Sequence, residues 1–203
     1  MPRIGRLFVL LAALGALTAT LAPSAAAAPT GTVRLDGVRT TLWTDPATTG
    51  VLIQNGVLPL PVGPATVGVD QTASGLSLRY RFPITGGQVD GSSLAGYINH
   101  SGGLRFVNLH NGRTLTLTNF RILITANPGL SAIVNGDPGT RVRIANLHLG
   151  NATITKQLPT VRVTGVQATL TWTAANALND SLGVSFFAGG LTLGSANVWA
   201  HVA

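Results

Sequence analysis

The chain has 203 residues, with 13 lysines and arginines against six acidic residues, four histidines and no cysteine. The lack of cysteine excludes disulfides, thiol catalysis, thiolate metal sites and haem attachment through Cys-x-x-Cys-His. The formal net charge of +7 favours anionic ligands or envelope polymers, whereas the dispersed arginines, without a long basic run or an interleaved aromatic platform, argue against nucleic-acid binding.

Residues 1–27 are predicted to be a secretory signal peptide. Arg3 and Arg6 precede an apolar run over residues 7–17, and the small residues 23–28 offer an Ala-x-Ala cleavage site. The apolar run is too short to span a bilayer, so we expect no integral membrane anchor in the mature chain. Residues 28–203 are long enough for one domain with a packed core, which we expect to be secreted and held, if at all, non-covalently at the cell envelope.

Short alternating apolar runs, separated by Gly, Pro, Asn and Asp, follow from residue 31 onward and are typical of a sandwich or a barrel. We predict a mainly β domain, an antiparallel β-sandwich with two short capping α-helices. One helix is expected to begin at Asp45-Pro46 and end at Gly56, and the other to begin near Thr173 and end at Gly183. The predicted strands cover residues 32–43, 57–69, 76–83, 88–98, 103–109, 113–125, 129–134, 140–148, 160–172 and, in two pieces, 184–202.

The segment 96–124 predicts a β-hairpin that carries one histidine on its apolar face. Ile98 and His100 share a face under the two-residue period of a strand, and residues 101–103 are expected to form the turn. The glycines in that turn leave room for a backbone or a flat ligand to approach closely. His100 is therefore the strongest candidate for binding chemistry, although a lone histidine in a strand is more often a hydrogen-bonded structural residue.

The strand after this predicted turn changes the parity of its apolar residues. Leu115 and Leu117 occupy odd positions, whereas Phe120 and Ile122 occupy even ones. A β-bulge at residues 118–119 would keep both halves facing the core.

The sequence lacks the common catalytic motifs. Residues 91–95 (GSSLA) fail the Gly-x-Ser-x-Gly pattern of serine hydrolases at the last position. The six aspartates mostly lie at predicted turns or helix starts rather than in a pair suited to glycoside hydrolysis. The chain also lacks His-Glu-x-x-His, a phosphate-binding loop and Gly-x-Gly-x-x-Gly, and its histidines do not follow zinc spacing. We therefore expect no enzymatic activity.

Two groups of short motifs stand out in the sequence. The central group comprises residues 100–106 (HSGGLRF) and 115–122 (LTLTNFRI), and the C-terminal group comprises residues 168–171 (ATLT), 174–178 (AANAL) and 187–190 (FAGG). They resemble the central motif and the closing part of the Htaa domain, which is found in secreted and surface haem-acquisition proteins from actinobacteria.

The resemblance implies that a tyrosine from the N-terminal part of the domain holds haem iron and that the motif histidine, His100 here, supports it. This chain has no tyrosine before Tyr80. Tyr97 lies three residues from His100 and is expected on the opposite face of the same strand.

We conclude from the sequence that the chain is a non-enzymatic binding module of the cell envelope or the extracellular space, of Htaa-like type. Its expected ligand is haem or another anionic small molecule, with His100, Tyr97, Arg105 and Arg121 as candidate contacts and no metal site. The alternative is a structural or adhesive envelope protein, in which the β-domain is a scaffold and His100 is a hydrogen-bonded core residue.

Overall fold

The computed structural model describes residues 31–203, so the predicted signal peptide lies outside the described residues. Within them, no helix is long and apolar enough to cross a membrane. The described chain contains twelve strands and two helices, in the order β1 (Thr32–Thr44), α1 (Pro46–Gln54), β2 (Val57–Val62), β3 (Thr66–Thr72), β4 (Gly75–Asp90), β5 (Gly96–His100), β6 (Gly103–Asn108), β7 (Thr114–Ile124), β8 (Gly129–Val134), β9 (Asp137–His148), β10 (Thr153–Gln157), β11 (Thr160–Leu170), α2 (Trp172–Leu182) and β12 (Thr192–Val202).

Eight of the strands close into an antiparallel barrel, in the order β7-β5-β4-β1-β12-β11-β9-β8 and back to β7. The mainly β class with two helices is confirmed, but the predicted sandwich is wrong. The sheet closes because β7 pairs with β8 along the edge that β5 and β6 leave free. Outside the ring, β2 extends the sheet beyond β6, β3 pairs with β4, and β10 pairs with β11.

The predicted hairpin of β5 and β6 is also wrong, because the two strands do not pair with each other. Both lie along the same edge of β7, where β5 pairs with residues 121–124 and β6 pairs with residues 114–118. Residues 101 and 102 are thus a break between two successive strands. The break places His100, the last residue of β5, opposite the middle of β7.

Both helices begin and end close to the predicted positions. The Asp45 side chain caps α1 by accepting a hydrogen bond from the backbone of Thr48, with an N···O distance of 3.0 Å. Thr171 caps α2 by accepting from the backbone of Ala174, with an N···O distance of 3.2 Å, and Gly183 ends α2 in the left-handed conformation with φ of 65°.

The barrel interior holds two apolar clusters that meet near His100. The first includes Tyr80, Phe82, Phe120 and the buried face of α2, which covers that end of the barrel. The second includes aliphatic residues from the other half, such as Ile98. Phe82 and Phe120 pack edge to face, with their ring centroids 5.1 Å apart.

Candidate functional site

His100 lies inside the barrel, with only 4% of its surface exposed. Its Nε2 atom is 2.7 Å from the hydroxyl oxygen of Thr40 on β1, and its Nδ1 atom is 3.3 Å from the carbonyl oxygen of Phe120 on β7. Because a carbonyl only accepts, Nδ1 donates to Phe120, and the neutral ring then accepts the Thr40 hydroxyl proton at Nε2. Both ring nitrogens are therefore engaged within the protein.

Burial lowers the pKa of His100 from 6.5 to about 4, and the hydrogen bond with the Phe120 carbonyl opposes that shift. The imidazole is thus neutral at physiological pH. A neutral ring with two internal hydrogen bonds connects β5 to β1 and β7 and has no free nitrogen to offer a ligand.

The predicted bulge in β7 is confirmed, and it positions the Phe120 carbonyl oxygen that accepts the hydrogen bond from His100. The pairing of β7 with β8 shifts register between Thr118 and Arg121, and Asn119 adopts a positive φ of 50°. The backbone N–H of Asn119 donates to the carbonyl oxygen of Gly102, with an N···O distance of 3.0 Å. The bulge keeps Phe120 directed inward and brings its carbonyl oxygen to the His100 ring.

The sequence left open whether the glycines beside His100 make room for a backbone segment or for a flat ligand. The structure shows that they make room for backbone. Gly102 has a φ of +79°, and a Cβ atom placed there would lie 2.6 Å from the backbone nitrogen of Ala65. A Cβ atom on Gly103 would collide with the carbonyl oxygen of Leu117. The space at these two glycines is thus occupied by neighbouring chain segments.

A cavity of about 130 Å³ lies beside His100 in the barrel interior. Apolar side chains line most of it, among them those of Phe82, Leu170 and Phe187. An apolar cavity of roughly 150 Å³ accepts a benzene molecule, whereas cofactor pockets span roughly 300 to 1,000 Å³. The cavity is therefore smaller than a typical cofactor pocket.

Tyr97 and Arg121 lie together on the outer face of the same wall. The guanidinium carbon of Arg121 is 5.4 Å from the centroid of the Tyr97 ring, and its Nε donates to the side-chain oxygen of Asn99 at 2.8 Å. The Tyr97 hydroxyl has no hydrogen-bond partner within residues 31–203. This face thus presents a phenol and a cation to the outside.

Arg141 on β9 adds a second cation to this outer face. It donates from Nη1 to the carbonyl oxygen of Asn119 at 2.9 Å. Partial burial lowers the pKa of Arg141, and the nearby positive charge of Arg121 lowers it further. In the described part of the chain the one ion pair joins Arg79 and Asp70, so no carboxylate balances these two guanidinium groups.

The four predicted contacts therefore do not form one site. Tyr97 and Arg121 are together, and His100 lies behind them on the inner face, as the alternation of strand side chains predicted. Arg105 is exposed on β6 opposite Thr116, which is five residues, or roughly 16 Å of strand, from Arg121. Thr40 and Arg141 could not be identified from the sequence, because only strand pairing around the barrel brings them to His100 and Arg121.

No described histidines or carboxylates cluster in a group of three or more that could hold a metal ion. The described chain is thus a closed β-barrel with an internally bonded histidine and a cationic, aromatic patch on its outer face. The sequence model of the Htaa family matches residues 61–182, more than half of the chain, and the chain belongs to that family. The match begins after β1 and α1, the part in which the resemblance places the iron-binding tyrosine.

Solved structures share this fold at low sequence identity. The crystal structure of the C-terminal domain of HtaA from Corynebacterium glutamicum matches with a TM-score of 0.59 and 16% identity, over 84% of this chain and 99% of that one. The haem-binding protein HtaB from the same organism matches with a TM-score of 0.52 and 14% identity, over 86% of this chain and 98% of that one. No curated protein matches the chain.

Proposed function

We propose that this chain is a secreted, non-enzymatic binding module of Htaa type and that its ligand is haem or another anionic small molecule. Membership of the Htaa family supports the class of protein, and the fold shared with a haem-binding protein supports the ligand. The observation that carries the proposal is the Tyr97–Arg121 pair, which directs a phenol and a cation away from the barrel.

A comparison of the two tyrosines favours Tyr97 as the contact for haem iron. The chain contains two tyrosines. Tyr80 is 1% exposed, and its hydroxyl donates to the carbonyl oxygen of Pro59 on β2. Tyr97 is the remaining phenol, and a tyrosine oxygen is an established type of haem ligand. We therefore propose that the iron contact lies on the outer face of β5, whereas the family resemblance implies one in the N-terminal part of the domain.

The neighbouring arginines fit the anionic part of the same ligand. Haem brings an iron that accepts an oxygen ligand and two carboxylates that accept hydrogen bonds. Arg121 and Arg141 carry planar guanidinium groups, which suit carboxylates in a bidentate arrangement. His100 acts from behind this wall as a positioning residue, because its bond to the Phe120 carbonyl connects it to the residue before Arg121.

The test is a haem titration of the mature chain, followed by visible absorbance. We expect a saturable one-to-one Soret band, altered in position by Tyr97→Phe and weakened by Arg121→Gln. Arg113→Gln is the matched control, because it removes one exposed arginine that contacts no aromatic ring. A band that is unchanged in Tyr97→Phe would contradict the assignment of the iron contact.

A flat titration of a folded protein would contradict haem as the ligand. The same titration with iron-free protoporphyrin, followed by fluorescence, then separates loss of the iron contact from loss of all porphyrin binding. If neither pigment binds, the structural or adhesive envelope protein becomes the better description of this chain.

A further inference from the structure

A second cationic and aromatic feature lies on the outer wall of the barrel, on strands that do not carry Tyr97. Arg39, Trp199 and Arg162 are direct cross-strand neighbours on β1, β12 and β11. We call these three residues the Arg–Trp–Arg row. The guanidinium carbons of Arg39 and Arg162 lie 5.2 Å and 4.6 Å from the centroid of a Trp199 ring.

The row contains hydrogen-bond donors that the described chain does not satisfy. Within residues 31–203, the guanidinium groups of Arg39 and Arg162 have no hydrogen-bond or ion-pair partner. The Nε1 atom of Trp199 is buried and also has none. A buried donor without an acceptor is unfavourable, and stacking on an indole does not neutralise an arginine. The three side chains therefore offer donors alone, which is the chemistry of an oxyanion site.

The described carboxylates do not supply that oxyanion. Asp70 pairs with Arg79, Asp45 caps α1, and Asp90 accepts from Ser92 and Ser93. Asp36 is three residues from Arg39 on β1 but forms no ion pair with it.

We propose that the Arg–Trp–Arg row binds a linear phosphate polymer without nucleobases, of which inorganic polyphosphate is the simplest form. Arginine pairs bind phosphate through two parallel N–H···O bonds. The unpartnered N–H of Trp199 is a third donor, on the strand between those of the two arginines. Arg81 lies opposite Thr41 on the same face, two residues along β1, and extends the positive charge beyond the reach of a single phosphate.

The neighbours of the row favour a soluble polymer over a lipid surface. Pro83 on β4 and Thr155 on β10 continue the row on either side. Ile154, an exposed apolar side chain, is adjacent to Thr155 in the strand and therefore points to the opposite face. Stable attachment of a protein to a membrane surface requires large apolar side chains beside the cations, and neither Pro83 nor Thr155 supplies one.

The experiment titrates the mature chain with sodium polyphosphate, with inorganic phosphate as the monomeric comparison. We expect polyphosphate to bind, and the double variant R39Q/R162Q to weaken that binding about tenfold or more. The control double variant R34Q/R113Q removes the same charge from exposed positions that contact no aromatic ring, and should change the affinity about twofold or less. Circular dichroism confirms that both variants fold.

The indole N–H resonances provide a second readout. In a ¹H–¹⁵N spectrum, polyphosphate should shift the Nε1 signal of Trp199, which Trp199→Phe identifies. The signals of Trp43, whose Nε1 donates to Asp70, and of Trp172, which is 70% exposed, should stay in place. Haem binding should be unaffected by R39Q/R162Q, because this proposal is independent of the Tyr97 region.

Three results would overturn the proposal. If both double variants lowered the affinity for polyphosphate equally, net charge alone would explain the effect. If polyphosphate did not bind at all, the proposed site would not exist. Binding to vesicles of phosphatidylglycerol without binding to polyphosphate would assign the face to a membrane instead.

Discussion

The wall formed by β5 and β7 has two faces with opposite properties. Its inner face carries Ile98, His100 and Ile122, all buried, whereas its outer face carries Tyr97 and Arg121, both half-buried. Alternate residues of the same two strands supply both faces, so the sequence intersperses residues for stability with residues for binding. A substitution in this wall should therefore affect folding or binding according to the parity of its position.

The strongest test of the inner face is the substitution His100→Ala. It leaves the Thr40 hydroxyl and the Phe120 carbonyl without their partner and opens a cavity beside them. We expect a loss of about 3 kcal/mol in the free energy of unfolding at pH 7, measured by denaturant titration. A loss below about 1 kcal/mol would show that the two hydrogen bonds contribute little to the barrel.

The pH dependence of stability sharpens this test. The pKa of His100 is about 4 in the folded chain against 6.5 unfolded, so the unfolded state binds a proton between these values while the native state does not. The free energy of unfolding therefore has its full value with respect to His100 above pH 6.5. It falls by about 3 kcal/mol as the pH decreases toward 4. His100→Ala should flatten this part of the curve, whereas the exposed His201→Ala should not. A slope unchanged in His100→Ala would assign the effect to another group.

The local features of the fold could be predicted because neighbouring residues determine them. The parity change between Leu117 and Phe120 revealed the bulge, and Asp45 and Gly183 marked helix ends. Closure of the barrel could not be predicted, because it depends on β7 using both of its edges. The glycines 86–87 separated two predicted strands, yet β4 runs through them without a break.

The candidate site divides in the same way. The burial of His100 and the outward direction of Tyr97 follow from strand alternation, and the sequence predicted both. The hydrogen bond between Thr40 and His100 does not follow from the sequence, because 60 residues separate the two. They come together only because β4 pairs with β1 on one edge and with β5 on the other. The position of Arg141 beside Arg121 does not follow either, because it depends on β8 lying between their strands.

The bulge itself provides an intermediate test between the two faces. Asn119 has a φ of 50° and an exposed side chain, so its backbone rather than its contacts explains its position. Asn119→Val should lower the free energy of unfolding by about 1 to 2 kcal/mol, because a β-branched residue disfavours positive φ. Asn119→Gly should change it by less than about 0.5 kcal/mol, because glycine accepts that conformation. Equal losses in the two variants would show that the side chain, not the backbone, matters.

The smallest expected effect on stability belongs to the outer face. Tyr97→Phe keeps the ring under Arg121 and removes a hydroxyl without a described partner, so the free energy of unfolding should change by less than about 0.5 kcal/mol. The same variant should change the Soret band, since the phenol oxygen is the proposed iron contact. The opposite pattern, a large loss of stability with an unchanged band, would place the Tyr97 hydroxyl in the structural framework of the barrel. Tyr97→Phe and His100→Ala should therefore be measured together. We expect Tyr97→Phe to change ligand binding while the fold remains, and His100→Ala, three positions along β5, to destabilise the fold.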